Sequence, residues 1–282
     1  MNSFAFFGTP QVAVEILDAL EGAGYLPSVV VTMPDRPQGR GMEMKETPVA
    51  TWARERGIEV LKPEKLDSEF ISALMTYDLA LSIVVAYGKI LPQSLLDVGP
   101  MYNIHYSLLP RWRGATPVES AILAGDAETG VALQKIVFKL DAGPLVAIVK
   151  TPIDPDETAP ALRSRLNTLA GKLLVDIFPD LLAGNVKLSE QDETKVTVCG
   201  KISKEDGCVD LSDDGIQNYR KFRAYFGWPG IYTFFERGGK RIRTIITKAH
   251  MEGSKFVIDV VKPEGKGEMS YVDFTRSGAK PM

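Results

Sequence analysis

Cysteine and histidine are scarce in this chain, with two of each in 282 residues. Cys199 and Cys208 form no pairwise metal framework, and a tetrahedral Cys/His zinc site would have to gather distant ligands. No metal is therefore expected, and the thiols read as ordinary reduced ones. Long apolar runs are missing too. The first residues pass straight into Phe4-Ala5-Phe6-Phe7, without the basic flank of a secretory leader or a segment long enough to span a bilayer. A cytoplasmic chain with no membrane partner is expected. With 45% hydrophobic and 24% charged residues, nothing argues for disorder, and the length allows a sizeable core and two domains.

A strong charge of either sign is also lacking, but the net −3 hides an asymmetry. Residues 1–205 carry 20 Lys+Arg against 26 Asp+Glu, whereas residues 206–282 carry 13 against 10. A mildly basic module on an acidic body can dock RNA through phosphate contacts. An accidental surface excess accounts for the same count equally well.

What is present in the first half is an alternation of apolar runs with helix-periodic stretches, the pattern of a parallel sheet with crossover helices. Strands are expected at Ser3–Phe7, Leu26–Thr32, Ile58–Leu61, Leu79–Ala86 and Met101–Tyr106. Helices are expected from Pro10 to Ala23, at Val49–Arg56 and at Glu69–Thr76. The layout is α/β, a doubly wound, mostly parallel sheet. The first strand-to-helix turn has one glycine, Gly8, where a dinucleotide fingerprint needs three, so nicotinamide or flavin binding is disfavoured. The segment Met33–Gly41 is rich in Pro and Gly and is expected to be an irregular loop. Loops at the carboxyl ends of strands border the ligand crevice in such sheets, which puts Arg36 and Arg40 within reach of an anionic substrate.

The most informative stretch is Asn103-Ile104-His105-Tyr106-Ser107-Leu108-Leu109-Pro110. Two residues apart on a strand, Asn103 and His105 point to the same face, so one can hold a carbonyl oxygen while the other moves a proton. Pro117–Ala124 then reads as a helix and Gly130–Val137 as a strand leading to Asp141, an Asp beside a glycine turn. Thr158–Leu182 reads as a long helix with Leu162, Leu166, Leu169, Leu173 and Ile177 as its core stripe. A polar segment around 184–203 follows, then a helix at Asp214–Tyr225 and β-like runs at Ile231–Phe235, Arg241–Thr247, Phe256–Val261 and Tyr271–Phe274. The expected division is 1–184, a linker at 185–205, and a small β unit at 206–282.

These motifs resemble the 10-formyltetrahydrofolate-dependent formyltransferases. The resemblance lies in Phe-x-Gly-Thr-Pro at the start, in Asn-x-His leading to Ser-Leu-Leu-Pro and on through Arg111-Trp112-Arg113-Gly114-Ala115, and in Leu140-Asp141-Ala142-Gly143. It continues in Lys201–Gly207 and Trp228-Pro229-Gly230, so that nearly the whole chain is covered. It implies a Rossmann-like formyltransferase domain followed by an open β-barrel of the OB type that binds tRNA. It assigns catalysis to Asn103, His105 and Asp141. It assigns 10-formyltetrahydrofolate binding to Ser107, Leu108, Leu109 and Pro110, with Lys89, Ile90 and Leu91 at the rim of the pterin pocket.

The Asp35–Gly41 segment is similar to the loop that family members acting on methionyl-tRNA direct toward the acceptor end, with Arg40 and Arg36 as tRNA contacts. The implied activity is formyl transfer from 10-formyltetrahydrofolate to the amino group of methionyl-tRNA, for translation initiation, with no DNA partner. Formyltransferases for a sugar amine or a purine precursor would share the catalytic domain but not this loop. A hydrolase would send the formyl group to water. A catalytically silent RNA-binding protein would have no use for Asn103, His105 and Asp141 together.

Overall fold

The computed structural model describes residues 3–38 and 42–282. By contacts these divide into two compact units: residues up to 114 with 130–151 and 164–198, and residues 115–129 with 152–163 and 199–282. In chain order the elements up to residue 183 are β1 (Phe4–Gly8), α1 (Gln11–Gly22), β2 (Val29–Val31), β3 (Arg36–Gln38), β4 (Glu43–Lys45), α2 (Pro48–Glu55), β5 (Glu59–Leu61), α3 (Ser68–Met75), β6 (Leu81–Val85), α4 (Gln93–Leu96), β7 (Met101–His105), β8 (Arg113–Gly114), α5 (Pro117–Ala124), β9 (Glu128–Lys135), β10 (Leu145–Pro152) and α6 (Ala159–Ala183).

The first unit is built on a sheet of order β10-β9-β7-β6-β1-β2-β5. β5, β2, β1, β6 and β7 run parallel, and β9 is antiparallel to β7. Alternation along β1 shows why both faces are covered. Phe4 packs edge-on to Phe178 of α6 at 4.9 Å between ring centroids, while Phe7 turns the other way, onto Phe70 of α3 at 6.5 Å and Tyr87 at 5.4 Å. Side-chain caps start the helices where the sequence offers them: Thr47 accepts from the Ala50 amide at the head of α2, and Asp67 from the Phe70 amide at the head of α3. The doubly wound, mostly parallel sheet is thus the one the apolar pattern predicts.

Several expectations are corrected. The Pro/Gly-rich segment contains a two-stranded hairpin, with Arg36 opposite Lys45 and Pro37 opposite Met44. Residues 39–41, and with them Arg40, lie outside the described residues. β10 (Leu145–Pro152) is missing from the sequence reading although Leu145–Val149 is an apolar run; in the structure none of its residues is fully buried. The core stripe of α6 runs through Leu162, Leu166, Ala170, Leu174 and Phe178, while Leu169, Leu173 and Ile177 are half-buried. Small residues explain this rotation: a Cβ on Gly171 would sit 3.0 Å from the Ala19 Cβ of α1, so the close face of α6 is the Ala170–Gly171 side.

The expected linker is bound to the first unit as far as residue 198. Ser189 and Leu145 exchange both main-chain hydrogen bonds, at 2.8 and 2.9 Å, and the short strand β11 (Val198–Cys199) pairs with β8.

The second unit carries α7 (Gly215–Ala224), β12 (Ile231–Arg237), β13 (Lys240–Glu252), β14 (Lys255–Pro263), β15 (Met269–Ser270), α8 (Tyr271–Arg276) and β16 (Lys280–Pro281). Its sheet has the order β15-β14-β13-β12-β16 and is antiparallel throughout. Gly238 and Gly239, both at positive φ, make the two-residue turn between β12 and β13. Tyr271–Phe274, expected as a strand, lies in α8. Ser270 accepts from the Asp273 amide as its cap, and the i, i+3 spacing of Tyr271 and Phe274 lets both rings pack on Phe235, at 6.1 and 5.0 Å.

Phe178 is fully buried against Phe4 and Tyr25. Phe178→Ala should lower the unfolding free energy by about 3–5 kcal/mol. Urea unfolding measures it, and a loss below about 1 kcal/mol would mean that α6 does not cover this face.

Candidate active site

β7 ends in polar residues at the carboxyl edge of the sheet. Asn103 sits between Val84 of β6 and Gln134 of β9, and His105 lies opposite Ala132. The two side chains share a face, as their spacing requires. His105 is 6% exposed. Its Nε2 is 2.8 Å from the Trp112 carbonyl oxygen. A carbonyl only accepts, so Nε2 carries the hydrogen and donates, and the neutral ring keeps its lone pair on Nδ1. Nδ1 lies 3.7 Å from Asp141 Oδ2. A proton taken up there arrives facing a carboxylate.

That carboxylate is fixed on both oxygens. The Gly114 amide donates to Oδ2 at 2.9 Å and Gln134 Nε2 donates to Oδ1 at 3.0 Å. Trp112 and Asp141 both adopt left-handed backbone, with φ of 61° and 48°. For residues with a Cβ such geometry costs about 1–3 kcal/mol and persists only where the surroundings enforce it. Here one tripeptide enforces it: the Trp112 carbonyl holds His105, and the Gly114 amide two residues later holds Asp141.

A cleft of about 210 Å³ opens beside this pair, lined by Asn103, Gln134, Asp141 and the Ala86–Leu91 segment that follows β6. It lies at the carboxyl ends of the parallel strands, where open α/β sheets bind ligands. Three large apolar side chains at its edge are exposed in the free protein: Ile90 by 85%, Leu140 by 68% and Phe138 by 67%. Exposed apolar side chains gathered at a cleft are the kind of surface on which ligands and partners dock. Tyr87 in the cleft wall is pushed up to about 12 by burial and stays a neutral phenol.

Of the residues expected to bind folate, Lys89, Ile90 and Leu91 line this cleft. The Lys89 ammonium is already engaged, donating to the Pro63 and Glu64 carbonyls at 2.6 and 2.8 Å. Ser107, Leu108, Leu109 and Pro110 are not among its lining residues. The buried Ser107 hydroxyl donates to the Arg111 carbonyl at 2.5 Å, so this run shapes the turn that presents Trp112. Arg36 is exposed at the start of the hairpin.

Sequence reasoning missed the side chains behind the pair. Gln134 is buried, and so are Arg113 and Gln191. Arg113 donates to Gln191 Oε1 from Nε at 3.0 Å and from Nη2 at 2.8 Å, and from Nη2 to Glu193 at 2.7 Å. The signals available were Gln134, a polar residue directly after the apolar run Val131–Leu133, and Arg113, which lies within the Arg111–Ala115 motif. Among the described residues no group of three His, Cys, Asp or Glu side chains is placed to hold a metal ion, and no helix is long and apolar enough to cross a membrane.

The family model described as formyl transferase matches residues 1–178, and that described as formyl transferase, C-terminal domain matches residues 201–256. The chain belongs to the formyl transferase family. The methionyl-tRNA formyltransferase of Thermus thermophilus is 41% identical over 268 residues, covering 93% of this chain and 85% of that protein. That of Methylococcus capsulatus is 43% identical over 235 residues, covering 82% and 76%. Solved structures of the same fold include a sugar 3N-formyl transferase in the presence of dTDP and 5-N-formyl-THF, with a TM-score of 0.67 at 17% identity over 95% of this chain and 99% of that one. The methionyl-tRNA formyltransferase from Clostridium thermocellum has a TM-score of 0.61 at 15% identity over 95% and 100%.

Hydrogen bonds from Arg113 and then Lys139 hold the Glu193 carboxyl down at about 2, against an ordinary 4.5. A lowered carboxyl pKa contributes stability above about 4.5 that is lost as the pH falls toward about 2. The Glu193→Gln chain should therefore melt slightly below the parent at neutral pH, a small gap because the pair is solvent-screened, and the gap should close across that acid range. Melting curves in a pH series check it, and a gap that widens in acid would refute the pairing.

Proposed function

We propose that this chain transfers a formyl group from a folate donor, 10-formyltetrahydrofolate, to the free amino group of methionyl-tRNA, the reaction that prepares the initiator for translation. The observation that carries the acceptor is the kinship with the Thermus and Methylococcus enzymes over most of both chains. The chemistry is supported by the His105–Asp141 geometry. In this reading residues 1–184 form the catalytic domain and 206–282 the tRNA-binding domain, joined through 185–205.

Formyl transfer to an amine needs four things: a neutral amine, attack at the formyl carbon, stabilisation of the oxyanion, and a proton for the departing nitrogen. Asn103, in the cleft wall, donates its amide N–H to the developing oxyanion, a contribution of about 3 kcal/mol in comparable acyl transfers. His105 accepts the amine proton at Nδ1, the nitrogen left free by its bond to Trp112, and passes a proton to the leaving nitrogen. Asp141 orients the ring and offsets its transient positive charge. The folate donor supplies the activated formyl group. Ile90, Leu140 and Phe138 suit its flat ring system, because they are apolar and exposed until something covers them; Lys89 and Leu91 belong to the same wall. Ser107, Leu108, Leu109 and Pro110 act one step back, by shaping the turn beyond β7. Arg40 and Arg36 contact the tRNA phosphates, which position a nucleic acid without carrying out chemistry.

His105→Ala, Asp141→Asn and Asn103→Ala should each lower turnover by about 100- to 10,000-fold while the fold persists, the usual contribution of a positioned proton relay or oxyanion donor. Single-turnover formylation of methionyl-tRNA with circular dichroism in parallel measures this. A His105→Ala chain working at the parental rate would remove the relay from the mechanism.

Arg40→Ala should raise the KM for methionyl-tRNA and leave donor binding unchanged. Formylation kinetics against tRNA concentration, paired with titration of the folate, test the division of labour; loss of both functions, or of neither, contradicts it. A nucleotide-linked amino sugar run in the same assay should remain unmodified, and its efficient formylation would move the chain to the small-amine branch of the family.

A further inference from the structure

Behind the His105–Asp141 pair lies a buried residue that formyl-transfer chemistry does not itself call for. Gln191 comes from the polar segment after α6, 50 residues beyond Asp141. Its Nε2 donates to the Asp141 carbonyl at 2.9 Å and to the Gly143 carbonyl at 2.7 Å, with Gln134 Oε1 further off at 3.4 Å. Its Oε1 accepts the two N–H groups of Arg113 at 3.0 and 2.8 Å. The amide orientation is fixed by its partners, since a guanidinium only donates and a carbonyl only accepts. A primary amide supplies both halves of this pattern; neither a carboxylate nor an amine can.

The turn it grips has little freedom of its own. A Cβ on Gly143 would lie 1.7 Å from the Lys135 carbonyl oxygen, so the turn is pressed against the end of β9. Asp141 sits at φ 48°, a backbone geometry that relaxes unless held. On the other side Arg113 belongs to the tripeptide whose Trp112 carbonyl holds His105 and whose Gly114 amide holds Asp141.

We propose that Gln191 is a positioning residue for the proton relay: by joining the Arg113 guanidinium to the main chain of the Asp141–Gly143 turn, it keeps the Asp141 carboxylate stationed beside His105. The proposal rests on the assignment of the relay to that pair. It gives the segment after α6 a part in the chemistry beyond connecting two units.

The test is Gln191→Glu, which keeps the shape and the acceptor for Arg113 but sets an oxygen against two carbonyls. Misplacement of a catalytic group by a fraction of an ångström to an ångström costs up to about 100-fold. Turnover should therefore fall by about 10- to 100-fold, with the KM values for donor and acceptor held within about twofold. Gln191→Met, which removes every hydrogen bond at similar volume, should do the same.

A spectroscopic reading accompanies the kinetics, because the chain holds only two histidines, His105 and His250. His250 is bound to Asp259 at 2.9 Å and serves as the internal control. The imidazole nitrogen and proton signals of His105 should move in both variants, and those of His250 should not. Parental turnover in both variants, unmoved His105 signals, or a rise in KM at unchanged turnover overturns the proposal. If neither variant folds, the contact is purely structural and the proposal is overturned as well. The NMR arm needs no substrate, so it stays informative if the acceptor proves not to be methionyl-tRNA.

Discussion

The antiparallel pairing of β7 with β9, in which Asn103 faces Gln134 and His105 faces Ala132, sets the positions of Asn103, His105 and Gln134, on which the other bonds of the site are built. Side chains on a strand alternate between faces, so a slip of one residue would turn Asn103 and His105 into the opposite helical layer and bring Ile104 to the cleft. The register also sets Gln134 beside Asn103, from where its amide reaches Asp141. β9 is the strand at which the sheet changes direction. A short connection leads from β9 to β10, its neighbour in the sheet, and Asp141 lies on it, six residues after the end of β9 and beside the strand that carries His105.

The hydrogen-bond supply around the pair is one-sided in a useful way. The Asp141 carboxylate receives two N–H groups, Gln191 receives two from Arg113, and the Trp112 carbonyl receives one from His105. His105 Nδ1 is the position left for an incoming proton. Fixing the partners beforehand means that little has to reorganise when charge develops, which is how preorganised sites lower barriers. Two left-handed backbone positions, at Trp112 and Asp141, are strain that the surrounding bonds hold in place.

The parallel sheet was legible in the sequence because β1, β6 and β7 are apolar runs buried on both faces, and Asn103 with His105 because two polar residues interrupt one of them. Asp141 was legible as a turn residue and gained its role from the motif. The hidden parts share one physical cause: their partners are distant along the chain. Arg113 and Gln191 are 78 residues apart, and Gln191 and Gln134 are 57 apart. No local periodicity records such pairs. α8 was misread for another reason, since Tyr271, Val272 and Phe274 have strand-like side chains and the deciding signal is the Ser270 cap with Phe274 on Phe235. β10 is a different case: its apolar run Leu145–Val149 was there to be read, and it was passed over beside the Asp141–Gly143 turn.

The proposed proton relay carries no information about which amine is presented to it, so acceptor choice has to come from elements that can change without disturbing β7 and β9. The Arg36–Lys45 hairpin has that independence built into its base. Asp35 just before β3 and Glu46 just after β4 both reach the Lys62 ammonium, at 2.8 and 3.2 Å, and Glu46 also pairs with Arg54 at 3.1 Å. One residue further on, the Thr47 hydroxyl meets that of Thr32 at 2.8 Å. With both stems fixed at one point beyond β5, residues between them can change and leave the main sheet as it was, which is what the proposed acceptor role of Arg36 and Arg40 requires. Holding the ends also reduces the entropy that the segment loses when it engages a partner. The proposed catalytic centre, held by buried hydrogen bonds, and the hairpin, held at its base by half-buried ion pairs on Lys62, are thus separable devices: residues of the hairpin can change without a change in the bonds that fix His105 and Asp141.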